Sequence, residues 1–561
     1  QSCASCHFHA GADSRSKNQL NPGCLDCPGG PDGFQLEGPN YQLEKADYPF
    51  HKLEKADDRD SKVKSDINDV ASSLGVFLTE FIDIVPGTPV ELGRLLGDPT
   101  FNVGGVNVRR VEPRNTPTVI NAVFNFRNFW DGRAQDIFNG VNPFGLRDPN
   151  AKVLLASSTG DLAPTSVRLN NSSLASQAVG PPLSNFEMSF EGRTFNLIGK
   201  KMLSLVPLAK QEVASDDSVL GRLRHASGKG LNTSYGALIK KAFQSKWWSS
   251  PKVITVHSDG ALAFAKPTGD ALTAAQFTQM EYNFSLFFGL AIQMYEATLI
   301  SDQTPLDRFL AGDKKALTKE QQAGLSVFQN EGKCINCHSG PELSGAVVSN
   351  VKNERLERMI MGDGGQAVYD NGFYNIGVRP TQEDLGVGRK DPFGNPLAES
   401  RIAQLGLNRL VSCCLNLKVS PNERVAVDGS FKTAQLRNIE LTAPYFHNGG
   451  QLTLKQVVEF YNRGGDFHDE NINNLDPDIE ALGLSGKQRD VLVKFLLALT
   501  DERVRLHCAP FDHPQLFVPN GHPKDHKYVA DDGTGKGVDS MLTIPAVGRK
   551  GLAKPLKNFL E

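Results

Sequence analysis

The sequence predicts a mainly α protein organised as two related domains with long loop insertions and an irregular C-terminal tail. Three observations lead there. Cys-x-x-Cys-His occurs twice, as CASCH at 3–7 and CINCH at 334–338; apolar residues recur at helical intervals in several runs; and no long apolar–polar alternation of the kind a β-sheet needs dominates the chain.

The helical runs justify themselves in chain order. In FTQMEYNFSLFFGLAIQMYEATLI (277–300), aromatic and aliphatic residues fall at helical spacing, which predicts a buried helix closing the first domain near residue 310. TKEQQAGLSVFQNEGK (318–333) is an amphipathic stretch leading straight into the second motif. SGKQRDVLVKFLLALTDERV closes the second domain, with Ser485 as N-cap and Val491, Leu492, Phe495 and Leu496 as its apolar face. The Asp-, Lys-, Gly- and Pro-rich segment at about 11–110 and the polar stretch at about 139–175 are expected to be loop insertions. The expected organisation is 1–310, 311–510 and a tail, 511–561, that wraps the surface without regular structure.

Composition narrows the partners. With 60 Lys plus Arg against 63 Asp plus Glu, the net charge of −3 argues against nucleic acid and against a polybasic membrane patch. No apolar run reaches the ~18 residues of a membrane span, so a soluble chain with no membrane span is expected. The chain begins two residues before Cys3, and a secretory signal and a helix are expected upstream of it.

A haem held covalently needs two thiols one helical turn apart for its vinyl groups and a neighbouring imidazole for its iron, which Cys-x-x-Cys-His supplies. Only nine Cys and twelve His occur in 561 residues, so two such matches are not a product of composition. Cys3, Cys6, Cys334 and Cys337 are therefore assigned as attachment points, and His7 and His338 as proximal ligands, of two haem c groups. A pair of zinc half-sites is the competing reading, but it would want a second Cys/His pair at matching spacing. Thioether attachment is made outside the cytoplasm, which places the protein in a periplasm. Of the other cysteines, Cys24 with Cys27, and Cys508 with Cys413 or Cys414, are candidate disulfides whose connectivity stays open.

The runs RNTPTVINAVFNFRNFWDGRA (114–134), QAVGPPLSNFEM (177–188), the second haem motif and FKTAQLRNIELTAPYFHNGG (431–450) follow one another as in bacterial di-haem cytochrome c peroxidases and the related MauG enzymes. The chain resembles this family over residues 1–10 and 110–505. The resemblance implies two cytochrome c-like haem domains, Glu187 as acid–base group over the first haem, Gln177 as its polar neighbour and Pro181 shaping the distal wall. It also implies Trp130 as an electron or hole relay between the haems. A calcium ion would lie between the domains, held by the Asn115 side chain and by backbone carbonyls of Thr442 and Pro444, which suits a hard cation.

Two departures from the family pattern matter. Asn107 stands where many relatives carry a blocking histidine, which predicts a five-coordinate first haem unless His51 or His9 folds over it; His9 follows His7 too closely to reach the opposite face easily. Tyr461 stands where the peroxidases carry a methionine ligand, which matches the MauG pattern and predicts a His/Tyr second haem of low potential. A core tyrosine is the competing reading, since Leu454, Val457, Val458 and Tyr461 share one helical face. The implied function is a peroxidase-like oxidoreductase. Hydrogen peroxide would generate a bis-Fe(IV)-type oxidant that oxidises a protein or other bulky donor by long-range electron transfer. The alternatives are a conventional cytochrome c peroxidase drawing on a small cytochrome, a di-haem electron-transfer cytochrome, and a di-haem oxygenase.

Overall fold

The computed structural model describes residues 2–24 and 33–561. Helix makes up 23% and strand 18%, so the helical dominance expected from periodicity is weaker than anticipated. Even the long run at 277–300 yields a helix of only 13 residues, Phe284–Glu296. The strands form nine small antiparallel sheets among the described residues, eight of them two-stranded. Most are hairpins closed by turn chemistry. Asn102–Val103 and Val106–Asn107, for example, are joined by Gly104 and Gly105, both at positive φ, as a tight two-residue turn of matching twist requires.

The second domain keeps the predicted helical core. The helix Lys319–Gln329 starts at Thr318 and the helix Gly486–Leu497 at Ser485, each cap hydroxyl accepting the backbone N–H three residues on. Val491, Leu492, Phe495 and Leu496 are all buried, as the pattern predicted. The two helices meet closely because Gly324 has no Cβ: one there would fall on the Val491 carbonyl oxygen. Phe328 and Phe495 then pack with ring centroids 5.3 Å apart. A third helix, Leu454–Asn462, capped by Thr453, buries Leu454, Val457 and Val458 in the same core and carries Tyr461 on its last turn.

Three loop expectations need correction. The 11–110 segment is not a surface excursion: Leu20, Leu43, Tyr48 and Phe50 are buried in one cluster with Phe328 and Phe495. Its apolar residues are spaced without period, so neither a helical nor a strand pattern announced them. The 139–175 stretch holds a hairpin, Val153–Ala156 with Leu162–Thr165, and the start of the helix Ser173–Ala178. In the tail, Leu516–Pro519 pairs with Met541–Ile544, and Leu516, Val518 and Ile544 bury Phe8 beside the first haem motif.

Cys413, Cys414 and Cys508 are free thiols, so the expected bridge from Cys508 does not form; Cys508 lies against the Lys550 carbonyl, whereas Cys413 and Cys414 are exposed elsewhere. Cys24 is disulfide-bonded, and Cys27, its expected partner, lies outside the described residues. Among the described residues no helix is long and apolar enough to cross a membrane.

Candidate active site

Each Cys-x-x-Cys-His forms a single tight turn. At the first, the N–H groups of Cys6 and His7 both bond the Cys3 carbonyl at 3.1 Å. At the second, the His338 N–H bonds the Cys334 carbonyl at 2.9 Å. Each imidazole is also anchored. Nδ1 of His7 lies 2.7 Å from the Gly11 carbonyl and Nδ1 of His338 lies 3.1 Å from that of Leu343. A carbonyl can only accept, so Nδ1 carries the proton and Nε2 keeps its lone pair, the arrangement of an orienting partner behind a metal-bound histidine. Burial keeps both rings neutral, pulling His338 down to about 4. The same burial pushes the thiols of Cys3, Cys6 and Cys334 up to about 12, the reverse of a reactive thiolate. The cysteines read as attachment points rather than as redox groups.

Two cavities open beside these turns. The first, of about 890 Å³, is lined by Cys3, Cys6, His7, Trp130, Gln177, Pro181 and Glu187. All the residues expected at the peroxide-reacting haem thus converge, although they are drawn from three separate stretches of sequence. The second cavity, of about 220 Å³, is lined by Cys334, Cys337, His338 and Tyr461. The Tyr461 hydroxyl makes no hydrogen bond to a described residue. Burial, reinforced by the neighbouring cysteine sulfurs, raises its phenol far above the usual 10. A phenolate at this position therefore calls for a facing cation.

Trp130 lines both cavities, and so do Asn115 and His447. The indole is held from one side by its Nε1–H, which donates to the Asn115 carbonyl at 2.7 Å. On the other side lies His447, edge to face at 6.4 Å, itself stacked on Phe431. Arg114 fixes this wall by pairing with Asp131, next in sequence to Trp130, and with Asp384, each at 2.7 Å.

Asn107, His51 and His9 do not line the first cavity. Asn107 spends its amide on the Leu96 carbonyl and the Asp98 N–H. His51 pairs with Asp66 at 2.9 Å and packs on Phe467. Asn115, Thr442 and Pro444 do line one cavity together and offer only oxygen donors, which fits a hard cation. Among the described residues there is no cluster of three or more Cys, His, Asp or Glu that could hold a metal, so such a cation would rest on neutral oxygens.

Sequence reading missed Glu112 and Arg133, which also line the first cavity. Glu112 is hydrogen-bonded to Glu187. Its place three residues before Asn115, on the entry to the RNTPT run, was the available signal.

Residues 91–315, between the two Cys-x-x-Cys-His motifs, match the family model described as di-haem cytochrome c peroxidase. Over these residues the chain is similar to the di-haem cytochrome c peroxidase family. Cytochrome-c peroxidase IdrP2 of Denitromonas iodatirespirans is 32% identical over 44% of this chain and 57% of its own length. Cytochrome c551 peroxidase of Pseudomonas aeruginosa is 27% identical over 70% of each. The chain spans about half the length of the first curated relatives it matches. The diheme peroxidase BthA from Burkholderia thailandensis E264 aligns over 82% of this chain and 96% of its own, at 16% identity and a TM-score of 0.37, too loose a likeness to add to the sequence match. Each cavity thus carries one Cys-x-x-Cys-His turn on its wall, with Cys3, Cys6 and His7 in one and Cys334, Cys337 and His338 in the other.

Proposed function

We propose that this protein is a periplasmic di-haem peroxidase of the MauG-like kind. It takes hydrogen peroxide into the first cavity and shares the resulting oxidising equivalents with the second across Trp130, to oxidise a protein or other bulky donor. The haems, when bound, supply the iron at which peroxide is split and the centres that hold those equivalents. The chain does the rest. Glu187, as carboxylate, takes the proton from one peroxide oxygen and returns it to the other, which leaves as water. Gln177 orients the peroxide by hydrogen bonding, and Pro181 packs the wall so that bulk water stays out. Burial raises the Glu187 carboxyl while Arg133 and the hydrogen bond from Glu112 pull it back, which keeps the group within reach of both protonation states. Asn115, Thr442 and Pro444 are assigned a structural calcium between domains 1–310 and 311–510.

The observation that carries this reading is the convergence of His7, Gln177, Pro181, Glu187 and Trp130 on one cavity while Trp130 also walls the other, which holds Tyr461. Rapid mixing of the ferric holoprotein with one equivalent of peroxide tests it. Glu187→Gln is expected to slow the reaction by roughly 10²–10⁴, the usual worth of a general acid–base group. A rate within twofold of wild type would sink the assignment. Relatives named cytochrome c peroxidases favour a second reading, in which a small cytochrome delivers electrons for peroxide reduction; sustained turnover with a reduced cytochrome c would support it.

A further inference from the structure

We propose that Glu112 is the proton partner of Glu187: a second carboxyl in the first cavity that donates its hydrogen bond to Glu187 and replenishes it during peroxide reduction. This rests on the peroxidase reading of the cavity. Both side chains line the same wall, and each is the other's hydrogen-bonding partner. Oε1 of Glu112 is closed off from solvent with no donor aimed at it. Two carboxyls in contact in an enclosed site cannot both ionise, because the like charges and lost hydration oppose it; one keeps its proton and bonds the other. Charged groups face both carboxyls. Arg133 acts on both, Arg110 on Glu112 alone, and the sulfurs of Cys6 and Cys3 approach Glu112 and Glu187 respectively. Burial and the Glu187 charge push Glu112 up against the pull of Arg133 and Arg110, and in the proposed pair the shared proton sits on Glu112.

The chemistry gives the second carboxyl work to do. Splitting the O–O bond moves one proton from the near oxygen to the far one through Glu187, with no net uptake, and the far oxygen leaves as water. Release of the near oxygen as a second water needs two electrons from a one-electron donor and two protons. A single carboxyl can offer one proton before it must be reloaded. With Glu112 beside it, the O–H of Glu112 breaks as a new O–H forms on Glu187, and Glu112 is recharged behind it. Glu112 is thus a positioning and supply residue, acting through Glu187.

Difference infrared spectroscopy of the resting ferric holoprotein near neutral pH, without peroxide, tests the pair by itself. Wild type is expected to show a protonated-carboxyl stretch that disappears in both Glu112→Gln and Glu187→Gln. Rapid mixing then tests the role: Glu112→Gln is expected to slow the peroxide reaction by roughly 10–100-fold and to shift its pH profile, with Glu112→Asp restoring part of the rate. A band that persists at wild-type strength in Glu112→Gln overturns the pair, and its persistence in Glu187→Gln does the same if the Glu112 variant is poorly folded. An unchanged pH profile overturns the supply role. If wild type is inert to peroxide while the band behaves as expected, the peroxidase reading fails, and the supply role with it.

Discussion

Tyr461 and Glu296 show how much of this molecule's chemistry depends on burial. The Tyr461 phenol sits among apolar neighbours and cysteine sulfurs and resists ionisation, so it would serve as a ligand only opposite a cation such as a haem iron. Tyr461→Met should raise the midpoint potential of the second haem in a spectroelectrochemical titration, by tenths of a volt within the roughly 0.8 V that axial ligands span. An unmoved potential would mean the tyrosine is only core. Glu296, buried with Oε2 unpartnered near Cys3, has its carboxyl raised from 4.5 to about 8. Between those pH values the folded chain holds a proton that the unfolded chain has lost. Stability therefore falls as pH rises, by about 1.4 kcal/mol per unit, through that window. Glu296→Gln should flatten this slope in denaturant titrations from pH 5 to 8. The resemblance pointed to Tyr461, but the raised carboxyl of Glu296 could not be read from sequence, where it is an ordinary member of an apolar helix. Glu187 was legible only because its motif is long; Glu112 belongs to no pattern, and only the cavity brings it to Glu187.

The contact of the helices Lys319–Gln329 and Gly486–Leu497 supports the second haem motif, and it turns on one missing methyl group. Gly324→Ala would drive a Cβ into the Val491 carbonyl, and a cost of about 1–3 kcal/mol is expected in the denaturant midpoint, the usual worth of overpacking. A neutral substitution would mean the helices part more easily than their packing suggests. These helices were legible in the sequence because each has a hydroxyl cap and a full apolar face over three turns. The hairpins were not. Strands of two to six residues carry too little alternation to stand out, and Val153–Ala156 reads VLLA, without alternation at all. The 11–110 segment failed for a different reason, as Leu20, Leu43 and Phe50 are placed by tertiary contact with the distant C-terminal core.

For the molecule as a whole, the relation between the two cavities is what gives two haem motifs a joint use. Trp130 and His447 belong to sequence motifs more than three hundred residues apart, yet they form one wall, tied by the Asn115 N–H to the His447 carbonyl at 2.7 Å. Trp130→Phe should leave the reaction of peroxide at the first haem near its wild-type rate while slowing the spectral change at the second. Equal rates at both haems would remove the indole from the path. The order of the motifs along the chain made both haems legible, but not the shared wall, since nothing in sequence spacing says which faces of two domains meet. The decisive measurement is an electron paramagnetic resonance spectrum of the resting ferric holoprotein, before and after one equivalent of peroxide. One high-spin and one low-spin signal, both lost together on peroxide addition, is the expected result; two low-spin signals in the resting protein would contradict the open first site on which everything else depends.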